Sequence, residues 1–201
     1  PSAPRSYNKH RLVSAFYDAT HLFLVYGKDF SSGRYLLITT PEARKALYFF
    51  DFRSYIAGPP GAPARPWAPG AQAVTWAAIE GGVLYVSHRH RTYASTSGGK
   101  NAYVSAISLD DGRLLWRSRP LTCNAASFSV VDDAIICGYG FTKEPDSLYV
   151  LNKLSGAVAK RIKLKSGPDY IIARGDRLYV RTYDTDYVFS IGRRKPVPLP
   201  D

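Results

Sequence analysis

The 201-residue chain contains no methionine and only two cysteines, Cys123 and Cys137. No C-x-x-C pair and no histidine-rich spacing accompanies them, which excludes the usual zinc sites. Two cysteines fit one disulfide or two buried thiols. In hairpin register Cys137 faces Phe128 rather than Cys123. Free, buried thiols are therefore expected, and a Cys123–Cys137 bridge is the less favoured alternative. No apolar run reaches the length of a membrane-spanning helix. There is no phosphate loop, no G-x-G-x-x-G and no familiar Ser/His/Asp arrangement, so nothing points to a known catalytic class and no cofactor is expected. The start "PSAPRSYNK" and the lack of methionine predict a processed export, periplasmic or extracellular, or a fragment of a longer protein.

Acidic residues are scarce. Lys and Arg total 27 against 16 Asp and Glu, a net charge of +11 with pI near 9.7. That balance favours acidic partners: an acidic protein surface, a glycan or another polyanion. Nucleic acid is an unlikely ligand, because no recognised binding module appears. Helical periodicity with caps is also missing, so helix content is expected to be very low.

What is abundant is the material of strands. Aromatic residues make up 13% of the chain, and Val, Ile and Thr surround them. Four hairpins can be read directly: Leu12–Gly27, Val74–His88, Ser127–Gly140 and Tyr170–Tyr183. Each is two apolar runs around a short turn, such as Gly81-Gly82 or Gly175-Asp176. Each is followed by further strand-like segments: "RYLLITT" and "ALYFFDF", then "AYVSAIS" and "RLLWRS", then "SLYVLN" and "AVAKRIKL", then "DYVFSI" alone. The unit is four strands in about 45 residues, the period of a propeller blade. One all-β domain over 1–201 is expected, a β-propeller with antiparallel blades near 11–55, 72–121, 123–166 and 167–192. The Pro/Gly-rich segment 56–71 reads as an inter-blade loop that Trp67 pins to the body. The last blade lacks a clear outer strand, which "PSAPRSYNK" would supply to close the ring; otherwise the chain is an open arc with two apolar flanks.

The repeated turn carries a family likeness. "AISLDDGRLLW", from Ala106 to Trp116, resembles the tryptophan-docking motif of quinoprotein-like (pyrroloquinoline-quinone-type) β-propellers, roughly A-x-D-x-x-T-G-x-x-x-W. Ala106, Gly112 and Trp116 match; Ser108 replaces the aspartate and Asp111 the threonine. A second copy keeps Gly156, with Asn152 and Ser155, but has Lys160 in place of the tryptophan. The resemblance implies a propeller. For the enzymes it also implies a quinone and a calcium ion at the ring centre. Acidic ligands for such a centre are not assignable here, and adjacent cysteines are absent. The likeness is therefore to the non-enzymatic branch, which binds other proteins.

The candidate binding residues are His88, Arg89, His90, Arg91, Lys100, Arg117, Arg119 and Lys143. In a strand "HRHR" sends His88 and His90 to one side and Arg89 and Arg91 to the other. The histidines would suit a metal or, protonated, an anion; the plainer alternative is a polar strand end entering a solvated loop. The remaining basic residues fall in loops of one propeller face, where ligands of repeat folds usually dock. "YDTDY" offers Asp184 and Asp186 for a cation, or simply as a solvated turn. The expected role is a non-enzymatic scaffold subunit that binds other protein subunits through loops and flanks. The alternatives are a quinone- or metal-dependent oxidoreductase subunit and a binder of acidic glycan.

Overall fold

The computed structural model describes residues 3–29, 32–52 and 73–192. Within them lie sixteen strands and no α-helix, and every strand pairing is antiparallel. The strands form four sheets, each an up-and-down meander in chain order. Blade 1 holds β1 (Ser6–Tyr7), β2 (His10–Tyr17), β3 (Leu22–Gly27), β4 (Gly33–Thr39) and β5 (Ala46–Asp51). Blade 2 holds β6 (Ala73–Glu80), β7 (Val83–Arg89), β8 (Tyr103–Ser108) and β9 (Leu114–Arg117). Blade 3 holds β10 (Ser129–Val131), β11 (Ala134–Phe141), β12 (Glu144–Asn152) and β13 (Val158–Lys163). Blade 4 holds β14 (Pro168–Arg174), β15 (Arg177–Thr182) and β16 (Asp186–Ser190). The fold is a four-bladed β-propeller.

The strand runs form sheets because their turns are chemically specified. Gly81 and Gly82 take φ of 57° and 74°, and Gly175 takes 59°, the left-handed values that tight hairpins need. The repeated motif makes one turn twice: Gly112 and Gly156 have φ of 70° and 69°, and each donates its N–H to the carbonyl four residues back, on Ser108 and Asn152. Asn152 Oδ1 adds two bonds, accepting from the N–H groups of Leu154 and Ser155 at 3.0 Å.

A lone sheet leaves apolar side chains on both faces, so the blades pack face to face. Phe23, Leu36 and Phe52 of the first blade's region pack with Leu84 and Val86 of the second. Tyr85 and Val104 pack with Ile135 and Leu151 across the second seam, and Ile136 and Leu148 with Ile171 and Val180 across the third. The inner strands of blades 3 and 4 are also stitched by serines. Ser127 Oγ accepts from Ile171 N–H at 2.8 Å, and Ser129 Oγ accepts from Ala173 N–H at 3.1 Å.

Two expectations are corrected. The N-terminal strand does not complete the last blade: Ser6 pairs with Arg11 and Tyr7 with His10, so β1 extends blade 1. Tyr7 prefers that site because its ring meets Tyr35 and Phe49, with centroids 5.1 and 4.8 Å apart. Secondly, the two thiols are free and buried as expected, but not because they lie far apart: Cys123 and Cys137 are close. Both are buried, unbridged thiols of one apolar cluster, and Cys137 is raised well above the usual thiol range by burial and then by its hydrogen bond with Cys123. The segment before Asn124 folds back over β11, which simple hairpin register does not anticipate: Asn124 N–H and Ala125 N–H both bond Gly138 O. Residues 56–71, with Trp67, lie outside the described residues.

Candidate functional site

The inner strands of blades 1, 2 and 4 border a common channel. β2, β6 and β14 each carry a register shift at a similar level, at Leu12/Ser14, Val74/Trp76 and Pro168/Tyr170. Such bulges bend a strand and re-aim its side chains. Together they leave a cavity of about 360 Å³ lined by Val13–Phe16, Ala73–Trp76, Ala126 and Tyr170, with Arg89 and Arg91. Phe16 stacks on Trp76 at 4.5 Å and 18°. Arg89 ends β7, and its Nε is buried with no hydrogen-bond partner among the described residues. Burial, and then the like charge of Arg91, weakens its hold on its proton. Two guanidinium groups beside an indole and a phenol can receive an anionic or aromatic group.

The alternation expected for "HRHR" separates its residues. Arg89 and Arg91 reach the channel, whereas His88 turns into the seam between blades 1 and 2. His88 is buried, not part of a solvated strand end, and its Nε2 lies 2.7 Å from Ser105 Oγ. Its ring stacks on Tyr103 at 5.5 Å. Burial, then the charges of Arg117 and His90, push its pKa down to about 3, so it is neutral at pH 7 and cannot attract an anion. His90 lies just past β7, its backbone tied to the Asn101 side chain by bonds of 2.7 and 3.3 Å. No group of three His, Cys, Asp or Glu side chains among the described residues can hold a metal ion.

The other candidates do not converge on one site. Arg117 shares Ser105 Oγ, donating from Nε at 3.1 Å, and lies 5.6 Å from the Tyr103 ring. Arg119 covers Tyr149 at 5.4 Å, with Arg161 near the same ring at 5.7 Å. Lys100 and Lys143 are exposed. Next to Lys143, Glu144 accepts from the Ala94 N–H at 2.6 Å and from the Tyr139 hydroxyl, binding the long loop of blade 2 to blade 3. Asp184 pairs with Lys165 and Asp186 with Arg181. Trp76 and Tyr170, which complete the channel, were not among the sequence candidates; the bulges that turn them toward the axis leave no mark in strand periodicity.

The resemblance to quinone enzymes meets a chemical mismatch at this point. A calcium-held quinone requires acidic ligands at the axis, yet among the described residues the channel lining contains two arginines and no carboxylate. The described residues do not fit such a centre.

No family model and no curated protein matches the chain. Solved structures do. The computationally designed Ika4 protein aligns with TM-score 0.59 at 10% identity, over 94% of this chain and 97% of that one. BamB from Moraxella catarrhalis aligns with TM-score 0.55 at 11% identity, over 96% and 51%. The β-propeller domain of Myceliophteria thermophila Cps50 (Swd1) gives 0.58 at 14%, over 94% and 59%. At such identities the likeness is one of fold. The chain spans about half the length of BamB and of Saccharomyces cerevisiae Sqt1.

Proposed function

We propose that the chain is a non-enzymatic, protein-binding scaffold of the quinoprotein-like type, a subunit of an exported assembly, and that it docks through the outward face of its last blade. The observation that carries this reading is the burial of β15, which alternates strictly: Leu178, Val180 and Thr182 are buried, while Arg177, Tyr179 and Arg181 are exposed. The same outward face carries Ile172 and Val188, which are 46% and 56% exposed, and Arg174. Among the described residues no apolar cluster joins blade 4 to blade 1. Tyrosine and arginine around an aliphatic centre are the residues that dominate protein interfaces. Three arginines against Asp176 and Asp186 select a partner protein with an apolar patch and an acidic rim.

The test is a photo-cross-linking amino acid placed at Tyr179 in cells that produce the protein, with the same group at exposed Leu154 as control. A discrete adduct at 179, absent at 154 and lost when Arg177 and Arg181 become Glu, is the expected result. Adducts at neither position, or equally at both, refute the docking face.

A further inference from the structure

The seam between blades 2 and 3 is closed at its outer end by one side chain. Trp116 of β9 lies flat on the turn of blade 3, so close to Gly156 that a Cβ there would sit 2.3 Å from its indole. Its Nε1–H donates to the Lys153 carbonyl at 3.1 Å. Two features therefore recognise the indole: an apolar wall and one main-chain acceptor.

Blade 4 repeats the acceptor. Lys153 N–H bonds Asp133 O at 2.9 Å, and Ile191 N–H bonds Asp176 O at 2.7 Å. Asn152 pairs with Ala134 as Ser190 pairs with Arg177. The Ile191 carbonyl thus stands where the Lys153 carbonyl stands one blade earlier. The group that should reach it is Lys160, which follows Gly156 by the same four residues that separate Trp116 from Gly112. Lys160 is exposed and cannot fill the place of an indole. A cavity of about 760 Å³ remains between blades 3 and 4, walled by Ile136, Leu148, Ile162, Leu178 and Phe189 and bordered by Lys160 and Ile191. Exposed Asp132 and Asp133 add two negative charges to its rim.

We propose that this cavity receives the indole of a tryptophan from a partner polypeptide, with the N–H donating to the Ile191 carbonyl. The chain itself supplies the precedent, because the neighbouring seam accepts an indole at the equivalent main-chain carbonyl. An aliphatic side chain would leave the acceptor unused and the wall half covered. The acidic rim favours a basic residue beside that tryptophan. This site is separate from the last blade's outward face, so either can fail without the other.

N-acetyl-tryptophanamide is the probe, titrated into the full chain and followed by NMR. Saturable shifts at Ile162, Leu178, Phe189 and Ile191 are expected, with N-acetyl-leucinamide binding at least tenfold more weakly. Lys160→Trp should supply the indole internally, weaken probe binding at least tenfold and raise the melting temperature. Lys160→Phe, a smaller filler, provides the same comparison if the larger one does not fold. No saturable binding, equal binding of the leucine probe, or unchanged affinity in a folded filled variant overturns the proposal. So does binding that appears only after removal of residues 193–201, since the natural occupant would then be the chain's own end.

Discussion

The central strands of the first and last blades are both six residues long, and they bury their side chains in opposite ways. β3, "LFLVYG", is buried at every position; β15, "RLYVRT", is buried at every second one. The inward halves of the two patterns match, for Phe23 and Val25 meet blade 2 as Leu178 and Val180 meet blade 3. The outward halves differ. Leu22, Leu24 and Tyr26 form a cluster with Tyr35, against which Ala3 and Leu12 pack. The Tyr26 hydroxyl donates to the Pro4 carbonyl at 2.9 Å, and Asn8 Nδ2 donates to the Tyr35 hydroxyl at 3.0 Å. The chain therefore caps one end of its own array, much as terminal repeats of solenoids are capped. At the other end it presents arginine and tyrosine instead. The two ends are not interchangeable: one outward face is covered by the chain itself, the other alternates buried and exposed side chains.

The sharpest way to break this contrast is to truncate one outward-facing residue at each end. Leu24→Ala removes a side chain that is 1% exposed, at a cost of about 2–4 kcal/mol. Tyr179→Ala removes a larger side chain that is 44% exposed, at a cost below about 1 kcal/mol. Denaturant unfolding of both variants measures the difference, and equal losses would mean that the two ends are alike.

A smaller effect comes from acid, and it acts at the first seam alone. His88 sits between Phe52 of the first blade's region and Tyr103 of the second, neutral, with a pKa of about 3 against 6.5 when unfolded. A depressed pKa means that the unfolded chain takes up the proton first. The stability contributed by the neutral ring is complete above pH 6.5 and is lost as pH falls toward 3. Between pH 7.5 and 5 that amounts to about 2 kcal/mol, before most carboxylates titrate. Urea unfolding across this range should show the slope in the parent protein and a nearly flat line in His88→Gln. Hydrogen exchange should show blades 1 and 2 opening ahead of blades 3 and 4. Uniform opening would remove any special role for this seam.

Much of this contrast is legible in the residues themselves. Alternation in "RLYVRT" and its absence in "LFLVYG" announce one covered face and two, because side chains in a strand alternate with period two. The hairpin turns and the duplicated glycine turn are equally local, so the blade count follows from short-range chemistry. What escapes is everything decided between distant segments. Nothing local indicates that Ser6–Tyr7 prefers blade 1 to blade 4, since a two-residue strand has no pattern of its own. His88 looks like part of a polar run, and only the arrival of Phe52 and Ser105 makes it a core residue. Arg89 and Arg91 were readable as a pair, but not the bulges that bring Trp76 and Tyr170 beside them. The lysine at position 160 was visible as a departure from the motif; that it opens a cavity depends on the next blade.

The smallest expected effect tests the cap itself. Tyr7 is 46% exposed, so its burial alone stabilises little, yet its ring stands edge-on to Tyr35 and tilted on Phe49. Aromatic pairs of this geometry contribute about 0.5–1.5 kcal/mol. Tyr7→Ala should therefore cost about 1 kcal/mol, and Tyr7→Phe almost nothing, because the ring rather than the hydroxyl makes both contacts. The same pair of changes at Tyr179, where no ring neighbour is present among the described aromatic contacts, should be indistinguishable from the parent. If Tyr7→Ala is silent as well, residues 3–7 merely rest on blade 1. Its outward face would then be as available to a partner as that of blade 4, and the polarity of the array would be lost.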